Sequence, residues 1–282
     1  MQIAAIQMVS GMQVPTNLQV AGELVAQAAA QGAELVVLPE YFCLLAASDA
    51  DKLAAQEDAA TASVAPIGPI QTFLADTARR HKIWLVGGTL PLSTTQRQRV
   101  RNSCLVFNPQ GQQVARYDKI HLFAFDNGRE SYDESRVLEP GTTPVCFSLP
   151  SRDGHTWRVG LSVCYDLRFG QLYRALQADL LLVPSAFTHT TGQAHWETLL
   201  RARAIENLAY VAAPAQGGQH ANGRITWGHT MVVSSWGEVL AQRAKGAGVV
   251  LADISMPQLV QRRTQLPALA HHKPLPPAVH SV

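Results

Sequence analysis

Three residues that could perform chemistry each stand directly after a short segment that is typical of a strand. Glu40 follows LVVLP, Lys119 follows ARYD and Cys164 follows GLSV. Functional groups in α/β proteins collect at the carboxyl ends of strands, so we expect the three side chains to meet at one edge of a sheet. A thiol nucleophile needs a base for its proton, a cation for the negative charge on the tetrahedral intermediate, and a backbone donor. Glutamate, lysine and cysteine supply such a set without histidine.

The stretch 158–176, RVGLSVCYDLRFGQLYRAL, determines where the cysteine lies. Its apolar first half predicts a buried strand, and the leucine spacing of its second half predicts a helix. Cys164 stands at the junction, where free N–H groups and the positive end of a helix favour a thiolate. The N–H of Tyr165 can point at an oxyanion there. A lone cysteine is more often a buried structural residue, so the catalytic interpretation depends on Glu40 and Lys119.

Both of these residues have an ordinary alternative. A glutamate after a strand is most often a solvated loop acid, and most lysines are solvated surface groups. In this sequence, however, apolar and aromatic residues surround each of them: Leu38, Tyr41 and Phe42 near the glutamate, and Tyr117, Ile120, Leu122 and Phe123 near the lysine. These neighbours predict that both charged groups are shielded from water.

The composition favours one large intracellular domain. The chain has 282 residues, 47% of them apolar, and only 16% are charged, against roughly 25% in an average soluble domain. The net charge is +2 without a long basic run, which argues against nucleic acid or a membrane surface as partner. The four cysteines lack disulfide-type or metal-type spacing, so we expect a cytoplasmic protein without a metal. The longest apolar run, 35–47, is too short to span a bilayer.

Strands alternate with helices and hairpins along the chain, a pattern that predicts an α/β fold with mixed sheets. The predicted strands are 2–8, 34–38, 83–88, 101–108, 113–117, 145–149, 157–163, 178–184, 210–214, 227–234 and 249–254. The predicted helices are 17–31, 46–65, a helix capped by 66–69 and ending at 80, the one after Cys164, and 195–207. Residues 126–140, which carry Glu134, and 217–224 are predicted loops. Residues 266–282 form a proline-rich tail that we expect to pack on a partner subunit or to be flexible.

The motifs LPEYF, YDKIHLF and GLSVCYDLRF resemble the Glu-Lys-Cys signature of the nitrilase superfamily of carbon–nitrogen hydrolases. The resemblance extends over nearly the whole chain. It implies a single domain, 1–265, built as a four-layer α-β-β-α sandwich that pairs into a homodimer. It also implies a second glutamate, Glu134 in SYDESRVLEPG, that holds Lys119 and orients the substrate.

Within this superfamily, HWETLLRARAIEN and APAQGG are most similar to the deaminated-glutathione amidase and omega-amidase group. That similarity implies a cysteine-dependent amidase for a small aliphatic, carboxylate-bearing amide such as deaminated glutathione or 2-oxoglutaramate. The resemblance further implies a reaction that proceeds through a thioester and requires no cofactor. A nitrilase or an N-carbamoyl amino acid hydrolase with the same triad is an alternative, as is a non-catalytic binding member of the fold.

A substrate with a carboxylate needs a cation that is not already used in catalysis. Arg129, in the loop leading to Glu134, is the first candidate. Arg168 is the second, although it could instead form a structural ion pair with Asp166. Phe187 and Thr188, in the motif PSAFT, are expected to contribute to the pocket.

Overall fold

A computed structural model describes residues 1–59, 68–96 and 98–273 and gives the order of their helices and strands. The α-helices described there are α1 (Val14–Ala30), α2 (Asp49–Ala54), α3 (Pro69–His81), α4 (Gly170–Leu176), α5 (His189–Asn207) and α6 (Met256–Gln265). Two short 3₁₀ helices cover Glu134–Arg136 and Cys164–Arg168.

The strands form two large sheets and two small hairpins. In chain order they are β1 (Gln2–Gln7), β2 (Leu35–Val37), β3 (Trp84–Val86), β4 (Leu90–Ser93), β5 (Val100–Phe107), β6 (Gln113–Asp118), β7 (Ala124–Asp126), β8 (Ser131–Asp133), β9 (Val145–Pro150), β10 (Thr156–Leu161), β11 (Leu180–Leu182), β12 (Tyr210–Ala213), β13 (Gly217–Gln219), β14 (Ile225–Trp227), β15 (Thr230–Val233), β16 (Val239–Arg243) and β17 (Gly248–Asp253). The first sheet has the order β17-β1-β2-β3-β5-β4, with β6 paired to β5. The second has the order β16-β15-β12-β11-β10-β9.

Successive side chains of a strand alternate between two cores, and this alternation shows how the layers stack. In β1, Ile3 and Ala5 belong to a core shared with residues of the second sheet, whereas Ala4 and Ile6 pack in the core beneath α1 and α3. Successive side chains of a strand point to opposite faces, so the first sheet lies between helices on one side and the second sheet on the other. Helices α4 and α5 pack on the second sheet. The expected four-layer α-β-β-α sandwich in a single domain is therefore confirmed.

Several predicted boundaries differ from the structure. Helix α1 begins at Val14, and Asn17 is not its cap, because its side chain bonds to the backbone of Gly11 and Cys43. Only Asp49–Ala54 of the predicted helix 46–65 is helical among the described residues, and its part from residue 60 onward lies outside them.

The middle and the end of the chain contain elements that the sequence pattern did not predict. Part of the predicted loop 126–140 forms the β7–β8 hairpin, and β13 lies in the predicted loop 217–224. Strand β16 and helix α6 were not predicted, and α5 begins at His189 instead of residue 195. In the proline-rich tail, residues 266–273 are turns and irregular backbone, and residues 274–282 lie outside the described part of the chain.

The start of α3 receives its cap from a distant side chain. Helix α3 begins at Pro69, and the carboxylate of Glu57 accepts the N–H groups of Ile70 (2.6 Å) and Gln71 (3.0 Å). The free N–H groups of a first helical turn attract negative charge, so a carboxylate is well suited to this position. The expected cap at 66–69 lies partly outside the described residues, and the partner observed for the helix end is Glu57.

The turn that presents Glu40 depends on a glycine of the neighbouring strand connection. Gly88 has φ +48°, and a Cβ atom there would lie 2.0 Å from the carbonyl oxygen of Pro39. The two turns can approach this closely only because residue 88 has no side chain.

We therefore expect Gly88→Ala to lower the free energy of unfolding by about 3 kcal/mol or more, because a left-handed backbone and a clash act together. Gly154→Ala is the matched control, since Gly154 also has a positive φ (+82°) but nothing within 4 Å of its Cβ position. That control should lose only about 1 kcal/mol. Urea denaturation measures the free energy of unfolding of both variants. Equal losses would show that the contact between residue 88 and Pro39 is unimportant.

Candidate active site

Glu40 lies just beyond β2 and is almost completely buried, at 1% exposure. Its Oε1 accepts from Lys119 Nζ at 3.0 Å and from Asn102 Nδ2 at 2.9 Å. Its Oε2 accepts the backbone N–H of Ala186 at 2.9 Å, and the nearby thiol of Cys164 favours the ionised carboxylate and so lowers its pKa. Burial raises the pKa of Glu40 above 4.5, although the charge of Lys119 opposes this shift. Glu40 is therefore in position to exchange a proton with the thiol.

Lys119 lies directly after β6 and is buried between two carboxylates. Its Nζ is 3.0 Å from Oε1 of Glu40 and 2.9 Å from Oε1 of Glu134. Burial alone disfavours the charged amine, but Glu134 and Glu40 outweigh it and hold the pKa of Lys119 well above 10.5. The lysine thus supplies a fixed positive charge.

Glu134 begins the 3₁₀ helix that follows the β7–β8 hairpin. Besides Lys119, its carboxylate accepts the hydroxyl of Tyr41 at 2.8 Å and the N–H of Phe123 at 2.7 Å. These contacts hold its carboxylate against the lysine amine. Glu134 and Lys119, two of the residues named from the sequence, are thus in direct contact.

Cys164 follows β10 by three residues, begins the 3₁₀ helix Cys164–Arg168 and is 7% exposed. Its φ is +51°, which is unusual for a residue with a side chain, and its N–H donates to Pro184 O at 3.0 Å. Burial raises the pKa of the thiol well above 9.0, and the negative charge of Glu40 raises it further, while Lys119 lowers it. The expectation that the turn favours a thiolate is therefore wrong. Desolvation outweighs the effect of a short 3₁₀ helix and favours the protonated thiol over the thiolate.

The backbone N–H of Tyr165 belongs to the first turn of the 3₁₀ helix Cys164–Arg168. Amides in a first turn have no acceptor within their own helix. The N–H of Tyr165 and the ammonium group of Lys119 are thus the donors expected to face an oxyanion beside Cys164.

A small cavity opens beside the cysteine. It is lined by Phe123, Cys164, Tyr165, Arg168, Ala186, Phe187, Thr188 and Thr191. Three residues predicted to bind substrate, Arg168, Phe187 and Thr188, are therefore together at this cavity.

The two candidate arginines have different surroundings. The guanidinium of Arg168 lies 5.6 Å from the ring centre of Tyr165 and 5.7 Å from that of Phe187. It does not form the alternative ion pair with Asp166, which bonds to other residues, and its Nη1 is 3.3 Å from Nδ1 of His195. Arg129 is exposed in the turn of the β7–β8 hairpin and is not among the residues that line the cavity.

Sequence reasoning missed several residues that hold the site together. Asn102 and the N–H of Ala186 bond to the Glu40 carboxylate, and Gln216 Nε2 donates to the Glu40 carbonyl oxygen at 3.0 Å. Asn102 and Gln216 lie far from Glu40 in the sequence and carry no charge, so spacing gave no signal for them. Gln216 in APAQGG and Ala186 in PSAFT stand in motifs that the family resemblance singles out, whereas Asn102 does not.

Two further properties concern metals and membranes. Among residues 1–59, 68–96 and 98–273, no group of three or more His, Cys, Asp or Glu side chains is arranged to bind a metal ion. Within the same residues, no helix combines the length and the apolar character needed to cross a bilayer.

Known proteins that are similar to this chain over nearly its whole length include two amidases and a CN-hydrolase superfamily protein of known structure. The deaminated glutathione amidase of Synechocystis sp. is 39% identical over 274 residues, which are 95% of this chain and 96% of that protein. The omega-amidase of Homo sapiens is 36% identical over 270 residues, which are 94% and 92% of the two chains. A CN-hydrolase superfamily protein from Xanthomonas campestris, solved with an arsenic adduct in its active site, has a TM-score of 0.82 at 29% identity and covers 98% of both chains.

The family described as Carbon-nitrogen hydrolase matches residues 2–264. This match spans the sandwich, the buried glutamate and lysine, and the cysteine beside the cavity. The chain belongs to the carbon-nitrogen hydrolase family.

Proposed function

We propose that the protein is a cysteine-dependent amidase that hydrolyses a small aliphatic amide bearing a carboxylate. Deaminated glutathione and α-keto acid amides such as 2-oxoglutaramate are the substrates indicated by the deaminated glutathione amidase and omega-amidase relatives. The observation that carries the proposal is the buried cluster in which Lys119 bonds to both Glu40 and Glu134, next to Cys164, which lines the cavity.

In the first step, Cys164 attacks the amide carbon while Glu40 accepts the thiol proton. The negative charge that develops on the amide oxygen is stabilised by Lys119 and by the N–H of Tyr165. Individual donors of this kind typically lower a barrier by about 3 kcal/mol. Glu134 keeps the lysine in place and helps to orient the substrate.

In the second half of the reaction, the protonated Glu40 gives its proton to the departing nitrogen. This leaves a thioester on Cys164 and releases ammonia or an amine. Glu40 then removes a proton from a water molecule, which attacks the thioester carbon. As the C–S bond breaks and the acid product departs, Glu40 returns that proton to the sulfur and restores the thiol. The same group acts first as base and then as acid, so its raised pKa suits the task.

Arg168 is the best candidate for binding the carboxylate of the substrate, and Phe187 and Thr188 complete this side of the pocket. Its guanidinium lines the cavity between two aromatic rings and has no carboxylate partner among the described residues. A planar guanidinium binds a carboxylate through two parallel hydrogen bonds. Arg129 remains a less favoured candidate because it is exposed in the hairpin turn.

We also propose that two copies of the chain form a homodimer. Ile205 on α5, Trp236 in the β15–β16 turn and Val260 on α6 are 50%, 43% and 55% exposed. Ile205 packs on Gly237, and Arg262 of α6 covers the Trp236 ring, so the three elements form one surface. A contiguous apolar surface of this kind marks a protein interface. A particle mass near 31 kDa at micromolar concentration would contradict this proposal.

The remaining proposals concern the division of the chain and its location. We assign residues 1–265 to the hydrolase domain, in agreement with the end of α6 at Gln265, and residues 266–282 to a tail. All four cysteines are free thiols, which supports a reducing, cytoplasmic environment.

Cys164→Ala should abolish product release, and Glu40→Gln should lower kcat by about 100-fold or more, because nucleophile and base act on one proton. The double variant should be no worse than Cys164→Ala. Release of ammonia or amine from a panel of amides, nitriles and carbamoyl compounds provides the measurement. Cys104→Ala is the control, since Cys104 is buried without a base or cation and should tolerate the change. Turnover by Cys164→Ala near the wild-type level would disprove the nucleophile assignment.

The pH dependence of kcat/KM should have an acid limb above pH 4.5. Glu40 must be ionised to accept the thiol proton, and burial raises its pKa, so activity is lost as the pH falls through that raised value. Lys119 stays charged to high pH and should cause no loss near neutrality. An acid limb at or below pH 4.5 would contradict the proposal that a desolvated Glu40 is the base.

The carboxylate subsite can be tested with an amide that bears a distal carboxylate and with the neutral methyl ester of that amide. Wild-type enzyme should prefer the acid by at least tenfold in kcat/KM, which corresponds to about 1.4 kcal/mol. Arg168→Lys should remove this preference, because an ammonium group cannot make the paired hydrogen bonds. Arg129→Lys serves as the control and should retain it. If Arg129→Lys instead abolishes the preference, the subsite lies at the hairpin.

A further inference from the structure

Asp166 is a fully buried carboxylate that the proposed mechanism does not use. It stands two residues after Cys164 in the same short 3₁₀ helix. A buried charge is costly unless hydrogen bonds satisfy it, so its partners indicate its purpose.

Four donors fill the acceptor positions of this carboxylate. Oδ2 accepts from the N–H of Val163 at 2.8 Å and from the hydroxyl of Tyr117 at 2.7 Å. Oδ1 accepts from the N–H of His121 at 2.9 Å and lies 2.7 Å from its Nδ1. Burial and the carboxylate itself raise the pKa of Tyr117, so the phenol keeps its proton and donates. The ring of His121 is fixed further by stacking on Phe169 at 3.7 Å.

The positions of these donors in the chain are informative. Tyr117 and His121 stand two residues before and two residues after Lys119. Val163 immediately precedes Cys164. One carboxylate therefore joins both sides of the lysine, at the end of β6 in the first sheet, to the nucleophile turn after β10 in the second sheet.

The same contact supports an unfavourable backbone. Cys164 has a φ of +51°, and such a conformation persists only where surrounding bonds impose it. The N–H of Val163 bonds to the Asp166 side chain, and the N–H of Asp166 bonds back to the Val163 carbonyl at 3.1 Å. These two bonds close the turn around the cysteine.

The geometry points to Asp166 as a positioning residue that sets the location of the Lys119 ammonium relative to the Cys164 thiol by tying the two sheets together through Tyr117, His121 and Val163. This inference rests on the proposed function of Cys164 and Lys119. It assigns Asp166 no contact with substrate and no part in proton transfer.

An asparagine cannot replace this carboxylate without a conflict. Each oxygen of Asp166 accepts one backbone N–H, that of Val163 or that of His121. The amide of asparagine has only one acceptor oxygen, so in either orientation its NH₂ group faces one of those N–H groups. Asp166→Asn thus keeps the shape of the side chain but removes the hydrogen bond to the N–H of either Val163 or His121, and with it one side of the link between the sheets.

The experiment measures two rates in wild-type protein and in folded Asp166→Asn. The first is the alkylation of Cys164 by chloroacetamide, which reports the thiol, base and cation without requiring the natural substrate. The second is kcat for the best amide substrate. We expect both to fall by at least tenfold in Asp166→Asn, with KM changed by less than threefold, because the residue acts on the geometry of the reacting groups and not on substrate binding.

Asp179→Asn is the matched control. Asp179 also accepts a backbone N–H, that of Arg158 at 2.9 Å, and pairs with Arg263, but none of its bonds reaches Lys119 or Cys164. It should lose thermal stability while keeping both rates. Folded Asp166→Asn with both rates within twofold of wild type would overturn the inference.

Tyr117→Phe supplies the second variant. It removes one of the four donors and should lower both rates by about threefold, and in Asp166→Asn it should add nothing. If Asp166→Asn does not fold, unchanged rates in Tyr117→Phe overturn the inference and lowered rates support it. Wild-type protein that alkylates rapidly but hydrolyses no amide would refute the proposed function alone, because the alkylation rates still test the position of Asp166.

Discussion

The rest of the site depends on the ion pairs that the buried ammonium group of Lys119 forms with Glu40 and Glu134. A lysine that is removed from water loses its proton unless negative charge surrounds it, and Glu40 and Glu134 provide that charge at about hydrogen-bond distance. The cation in turn makes a buried Glu40 tolerable. Removal of Lys119 would leave two buried carboxylates without their cation, which is strongly destabilising. The positive charge of the site and its local stability therefore have the same origin.

The buried charged residues and Cys164 follow strands of the two sheets, whereas the cavity wall comes from connecting segments. Glu40, Lys119 and Cys164 each follow a strand of one of the two sheets, so the packing of the sheets determines their separation. The cavity wall comes instead from the segments after Cys164 and around Thr188, at the start of α5. Changes in that wall can alter the substrate while the reacting groups keep their places. The family resemblance is for this reason informative about reaction type and less so about the identity of the amide.

Much of the site was predictable because its chemistry is local in the sequence. Glu40, Lys119 and Cys164 stand after apolar segments, and the alternation of strands and helices predicts the fold class. The protonation state of Cys164 was not predictable, because it depends on burial by residues remote in the chain. The same applies to Asn102, Ala186 and Gln216, whose bonds to Glu40 arise only when the sheets pack. The position of Arg168 at the cavity was not predictable either, because it depends on Asp166, its nearest acidic neighbour in the sequence, bonding to Tyr117 and His121 instead.

The burial of Cys164 also bears on the durability of the enzyme. Peroxides attack the thiolate form of cysteine, and exposed thiolates pass readily to sulfenic and then to irreversibly oxidised acids. Cys164 is only 7% exposed, and burial raises the pKa of its thiol, which disfavours the thiolate. Under the proposed mechanism, the reactive thiolate forms only while Glu40 holds the thiol proton. We therefore expect the desolvation that makes Cys164 depend on a neighbouring carboxylate also to slow its oxidation while no substrate is bound.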